Sequence, residues 1–178
     1  MAYRFFDHYH RELLCEAQVI AEEMTCDFFK LNHSHWQRCR YDILTLAFLR
    51  REEVSSHALA QLVKYQGFLS DRLLPSAAFD FYRICVQDHN ILRVLQSGKG
   101  LEPLPLFSYI LTHELVHIVR FSRFQARFEA SWPERLAEEA QVHRLTQAVL
   151  APLNFLKLAP VYQYYELGWQ GGWRYAHL

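Results

Sequence analysis

The chain has 178 residues, 51 % of them apolar and 21 % charged, enough for one domain with a buried core and too apolar for a disordered, collagen-like or linker protein. Lysine plus arginine total 19, and aspartate plus glutamate total 19. Residues 101–178 balance again at 7 and 7, so neither half of the chain has the basic excess of a nucleic-acid or anionic-membrane binder.

In chain order, residues 5–30 read as an amphipathic helix, with Phe5, Tyr9, Leu13, Ala17 and Ile20 near helical spacing, broken at Asn32-His33-Ser34. Residues 41–50 are apolar and compatible with strand or helix. Residues 52–65 predict a second helix, with Val54, Leu59, Leu62 and Val63 on one face and Gly67 as its stop. Residues 80–97 predict a β-hairpin: Phe81 to Gln87 and Ile91 to Leu95 are rich in strand formers, and Asp88-His89-Asn90 between them is turn chemistry. A helix over the same span is the alternative. Gly98, Gly100, Pro103 and Pro105 mark a loop.

Residues 106–124 predict a helix that is apolar nearly all round, hence buried. Residues 134–149 predict another, opened by Ser131, Pro133 and Glu134 in a capping-box arrangement and ended by Pro152. The tail, 153–178, reads as irregular and aromatic, punctuated by Gly168, Gly171 and Gly172. The four cysteines, Cys15, Cys26, Cys39 and Cys85, form no Cys-x-x-Cys pair, no stretch is apolar enough to span a membrane, and the N-terminus lacks a signal-peptide core. A reduced, cytoplasmic protein is expected.

One motif carries chemistry: His113-Glu114-Leu115-Val116-His117, H-E-x-x-H inside the apolar helix. Histidines four apart leave the same helix face and can meet one metal ion. The adjacent glutamate can reach a water whose pKa zinc lowers to about 7, accept its proton and return it to a leaving amine. The plainer reading is a pair of core histidines bonded to backbone or tyrosines. A catalytic zinc site needs a third protein ligand, and Glu138-Glu139-Ala140-Gln141-Val142-His143 on the following helix is the best supply.

With these residues in place, the sequence resembles the gluzincin metallopeptidases, in which H-E-x-x-H on one helix is followed by a glutamate ligand on the next. In size it is most similar to the minigluzincins, single-domain relatives of the catalytic domains of membrane-embedded peptidases. The resemblance covers residues 106–149, with the 80–97 hairpin as the family's small sheet above the active-site helix. It implies one zinc per chain, held by His113, His117 and Glu139, and Glu114 as general base. It also implies that His143, standing where an aspartate is common, braces a metal-binding histidine; ligating metal or binding substrate are its other roles. A helical wheel, in contrast, puts Glu138 at the centre of the arc of Val142, Leu145 and Val149, so Glu138 stays open as the third ligand.

Tyr162, Tyr164, Tyr165 and His177 are candidates for stabilising an oxyanion, though packing is the plainer role for each. Arg120, Arg123 and Arg127 can bind a substrate carboxylate or form surface ion pairs. His33-x-His35 and a blocking Cys39 have no local support. The aromatic tail either occupies the cleft and keeps the enzyme latent or simply packs.

The expectation is an α+β fold: a mainly helical single domain over 1–178, with a small antiparallel sheet beside the active-site helix, an N-terminal helical region (1–50) and the tail. Its expected function is zinc-dependent hydrolysis of a peptide or protein substrate, with no nucleic-acid partner and no membrane span. A homo-oligomer stays open. The alternatives are a catalytically silent scaffold of the same fold and a di-iron carboxylate bundle. For the latter, Glu114-x-x-His117 has no matching partner, since Glu53 to His57 and Glu139 to His143 are each one residue too long.

Overall fold

The computed structural model describes residues 3–32, 40–68 and 78–170. They form helix α1 (His8–Phe29), strand β1 (Arg40–Leu44), two 3-10 turns (Leu46–Phe48 and Arg51–Glu53), strands β2 (Ala60–Phe68) and β3 (Ala78–Val86), and helices α2 (Asp88–Leu95), α3 (Pro103–Ser122), α4 (Trp132–Leu150) and α5 (Ala159–Gln170). The fold is α+β and mainly helical, with one small sheet. Residues 33–39 and 171–178, which include His33, His35, Cys39 and His177, lie outside the described residues.

The middle of the fold is α3. Pro103 fits its first turn, where no intrahelical N–H bond is lost. Every residue from Pro105 to Val119 is buried, because α1, α4, α5 and the sheet all pack on this helix. That is the tertiary consequence of an apolar surface on all sides. Helix α1 faces it with Leu14, Ala17, Ala21 and Thr25, a stripe of mostly small side chains that lets the two helices lie close. Leu106, Phe107, Ile110, Leu111, Leu115 and Ile118 join Ile84 and Ile91 in the core, each contributing about 1.5–3 kcal/mol by burial.

The sheet has the order β1-β3-β2. Strand β2 runs antiparallel to β3, from Ala60 opposite Val86 to Phe68 opposite Ala78, and β1 runs parallel to it, from Arg40 beside Phe81 to Leu44 beside Cys85. The sheet is therefore mixed, not purely antiparallel. Tyr82, Ile84 and Val86 on alternate positions of β3 are buried in the core. Tyr82 stacks on Phe121 of α3, ring centroids 6.4 Å apart.

Several segments differ from the sequence-based expectation. The helix expected over 52–65 is absent; its second half is β2. Val63, Tyr65 and Phe68 are strand formers, and the open edge of β3 completes their hydrogen bonding, which outweighs a helix-compatible apolar spacing. Gly67 is no stop signal but an interior residue of β2 facing Phe79, where a Cβ would come within 2.5 Å of the ring.

The hairpin expected over 80–97 is half correct: β3 is a strand, but Ile91 to Leu95 belong to helix α2. Asp88-His89-Asn90 opens that helix and ties down the neighbouring chain. The Asp88 carboxylate accepts from the amides of Phe6 and Leu46, both at 2.9 Å. Asn90 Nδ2 donates to the carbonyls of Ser55 and Ala58, at 3.0 and 2.7 Å. The tail is not irregular throughout, since residues 159–170 are helical with Pro160 in the first turn.

The outer face of the sheet carries a partly buried ion cluster. Arg83 donates to Asp42 through Nε and Nη2, at 3.0 and 2.8 Å, and to Glu53 through Nη1, at 3.1 Å. Tyr65 also donates to Glu53. Burial alone raises the Glu53 carboxyl, but the bonds from Tyr65, the Arg50 amide and Arg83 outweigh it and hold the group below the ordinary 4.5. Its stabilisation is thus complete above the unfolded value and is lost as pH falls through the lower folded value. Glu53→Gln is expected to cost about 2 kcal/mol at neutral pH. It is also expected to flatten the acid limb of stability below pH ~4.5. Urea denaturation of wild type and variant at several pH values checks both.

Candidate metal centre

Helices α3 and α4 pack against each other and bring three side chains together. His113 Nε2 and His117 Nε2 are 3.2 Å apart. The Glu139 carboxylate lies 3.2 Å from His113 Nε2 through one oxygen and 3.1 Å from His117 Nε2 through the other. All three residues are buried. A four-coordinate zinc with N and O ligands at about 2.0–2.1 Å spaces its donors by about 3.3 Å. The donor set and its spacing fit such an ion.

Glu139 reaches the histidines because the inner face of α4 consists of Glu139, Val142, Thr146, Val149 and Leu150. Glu138 sits to the side. It accepts from Arg120 Nε and Nη2, at 2.6 and 2.7 Å, and stays 3.9 Å from His117 Nδ1. The structure thus brings Glu139, not Glu138, to the two histidines. Ser131 and Glu134 form the expected capping box and set the start of α4.

His143 lies one turn beyond Glu139. Its ring packs on His113, with centroids 4.5 Å apart, and on Tyr165, at 5.2 Å. A ring nitrogen of His143 is within 4.8 Å of donor atoms of His113 and Glu139. It forms a second donor set that overlaps the first at His113 and Glu139, while in the first each imidazole approaches its own Glu139 oxygen at 3.1–3.2 Å. His143 Nδ1 and the Tyr109 hydroxyl are hydrogen-bonded at 2.8 Å. Tyr109 is a site residue that sequence reasoning missed. Its signal was present: it stands four before His113 on α3, hence on the same face.

The electrostatics follow from burial and mutual contact. Burial pushes the Glu114 carboxyl up to about 7, with His117 opposing and the charge of Glu139 adding to the shift. Glu139 is driven the other way: burial raises it, but His117 and His113 outweigh that and hold it well below the ordinary carboxylate value. The pair of imidazoles therefore faces an ionised carboxylate.

A cleft of about 710 Å³ opens onto His113, Glu114, His117 and Glu139. Leu62 of β2, Phe121 and Arg120 of α3, the loop after α3, and Glu134, Arg135, Glu138 and Gln141 of α4 form its other walls. Tyr162, Tyr164 and Tyr165 are not among the described residues that line it. Tyr162 and Tyr165 pack on Tyr109 instead, with ring centroids 5.8 and 4.5 Å away. Arg120 is held by Glu138. Arg123 donates to the Phe29 carbonyl at 2.9 Å. Arg127 is exposed on the cleft wall. Glu53 is engaged in the outer-face cluster and His57 is exposed, so neither supplies a second E-x-x-H-like unit at this site.

The loop after α3 begins in a Schellman motif. The Phe124 amide donates to the Phe121 carbonyl at 3.1 Å and the Gln125 amide to the Arg120 carbonyl at 2.9 Å. Phe124 occupies the left-handed position of that motif, φ 55°, where glycine is usual. A non-glycine residue there costs about 1–2 kcal/mol.

No protein-family model matches the chain, and no curated protein or solved structure matches it. Among the described residues, no helix is long and apolar enough to cross a membrane. What the site can do follows from its own geometry: two imidazoles and a carboxylate can hold one divalent ion at the floor of a cleft, with a buried glutamate beside them.

Proposed function

We propose that this chain is a zinc-dependent peptidase acting on peptide or protein substrates. The observation that carries the reading is the mutual spacing of His113 Nε2, His117 Nε2 and the Glu139 carboxylate, 3.1–3.2 Å, on the floor of an open cleft. These three residues would hold the ion. Zinc bound there supplies Lewis acidity, polarising a substrate carbonyl and bringing water's pKa near neutrality.

The protein's own groups do the rest. Glu114, next to His113 and buried at the cleft, takes the proton from the attacking water and delivers it to the leaving amine. The ion pair of Glu138 with Arg120 keeps Glu138 away from the ion. His143, against the ring of His113 and bonded to Tyr109, holds that imidazole in orientation. The apolar residues packed around α3 bury these groups in a low-dielectric setting, which strengthens each of these interactions.

Protein purified without added metal is expected to carry about one zinc per chain. It is expected to cleave members of a peptide library and to stop on chelation. Elemental analysis followed by mass spectrometry of the digested library checks this. Failure to take up zinc when it is supplied removes the reading. Zinc without cleavage of any peptide points instead to a silent scaffold of the same fold.

A further inference from the structure

His143 stands as close to His113 as His117 does, with ring centroids 4.5 and 4.8 Å away. What holds its far side sets it apart. His143 Nδ1 is hydrogen-bonded to the Tyr109 hydroxyl at 2.8 Å. Tyr109 is fully buried. The ring of Tyr165 packs on both partners, with centroids 4.5 Å from Tyr109 and 5.2 Å from His143. Gln147, one turn after His143 on α4, also hydrogen-bonds the Tyr109 hydroxyl.

The direction of this chain decides which nitrogen of His143 carries the proton. The bond from Gln147 favours the ionised form of Tyr109, as a donated N–H does. The Tyr109 oxygen thus accepts from the Gln147 amide and gives its single O–H to His143 Nδ1. A neutral imidazole has one N–H, which then sits on Nε2. A nitrogen that carries a proton does not ligate a metal ion. It donates a hydrogen bond instead, and the Glu139 carboxylate is the acceptor at hand: a ring nitrogen of His143 lies within 4.8 Å of donor atoms of Glu139 and His113.

We propose that Tyr109 and Gln147 are positioning residues that hold His143 as an Nε2–H donor and so keep it from becoming a fourth protein ligand. The proposal rests on the zinc-centre reading and adds what keeps that centre open. A zinc ion with four protein ligands is a closed, structural site, whereas three leave a position for water and substrate. With the chain reversed, His143 Nε2 would turn a lone pair to the ion from a ring no farther from His113 than that of His117.

The test uses Tyr109→Phe, which deletes the donor, and Gln147→Glu, whose carboxylate accepts from Tyr109 and turns the chain round. Gln147 is only partly buried, so its variant reads the chain even where Tyr109→Phe does not fold. In cobalt-loaded protein both variants are expected to change the visible absorption of the ion. In zinc-loaded protein, nitrogen NMR of isotope-labelled histidine is expected to find the His143 proton on Nε2 in wild type and on Nδ1 in both variants. Both are expected to bind zinc at least as tightly as wild type, and to lower kcat for peptides about 10–100-fold with little change in KM. Adding His143→Ala to either variant is expected to abolish the spectral change and leave the behaviour of His143→Ala alone. A merely structural role would weaken zinc binding and leave the cobalt spectrum as in wild type. If Gln147→Glu keeps the wild-type cobalt spectrum and His143 tautomer, or if wild type already has His143 Nε2 on the metal, the proposal is overturned and the peptidase reading is untouched. If the spectra behave as expected but wild type cleaves no peptide, the peptidase reading fails and the proposal stands. If wild type takes up neither zinc nor cobalt, both are overturned.

Discussion

Glu114→Gln is expected to leave about one zinc per chain and to lower kcat for peptide hydrolysis by about 10²–10⁴-fold. The amide keeps the size of the carboxyl but can neither take up nor release the proton and carries no charge. Glu114 is not part of the compact donor set, whose members are His113, His117 and Glu139. Zinc retention and loss of turnover are therefore separable in this variant. Relieving a buried carboxyl is also expected to leave Tm unchanged or raised, because burial disfavours its charged form. Elemental analysis, a peptide cleavage assay and thermal denaturation on the same preparation decide the matter. A variant that keeps full activity would remove Glu114 from the chemistry. One that loses zinc would make it a ligand.

The part of the site that was legible in the sequence is the part that one helix fixes. His113 and His117 are four residues apart, so their shared face follows from helical geometry whatever packs on it. The choice between Glu138 and Glu139 is different, because it depends on which face of α4 meets α3. A count of apolar residues puts Leu145 on the inner face. The structure buries Thr146 there, and its hydroxyl is satisfied by donating to the Val142 carbonyl at 2.8 Å. A threonine that bonds its own helix is buried at little cost and is invisible to a hydrophobic wheel. That rotates the apparent face by about one residue, which is the difference between Glu138 and Glu139.

The fold shows the same division. α1, α3 and α4 were readable because amphipathic or all-round apolar spacing and a capping box are local features. β2 was not, because its stability comes from pairing with β3, a partner separate in sequence. Asp88-His89-Asn90 was misread because the same side chains that make turns also open helices and satisfy buried loops. Only the surrounding backbone amides and carbonyls of Phe6, Leu46, Ser55 and Ala58 decide between those uses.

Removing Glu139 and removing Glu138 should have opposite consequences, although the two are neighbours. Glu139→Ala takes away the carboxylate that contacts both imidazoles, so bound zinc is expected to be lost and added zinc to leave Tm unmoved. Wild type at a free zinc concentration a thousandfold above its Kd is instead expected to be stabilised by about 4 kcal/mol. Glu138→Ala breaks a partly buried pair with Arg120, for about 1 kcal/mol. It is expected to keep its zinc. His143→Ala separates the two overlapping donor sets. If the ion sits among His113, His117 and Glu139, this variant loses only a neighbouring support and binds zinc about 10–100-fold more weakly. If it sits among His113, Glu139 and His143, the variant loses a ligand, and His117→Ala becomes the milder change. Zinc titration monitored by Tm across the four variants distinguishes these cases, and the 3.1 Å approach of Glu139 to His117 predicts the first.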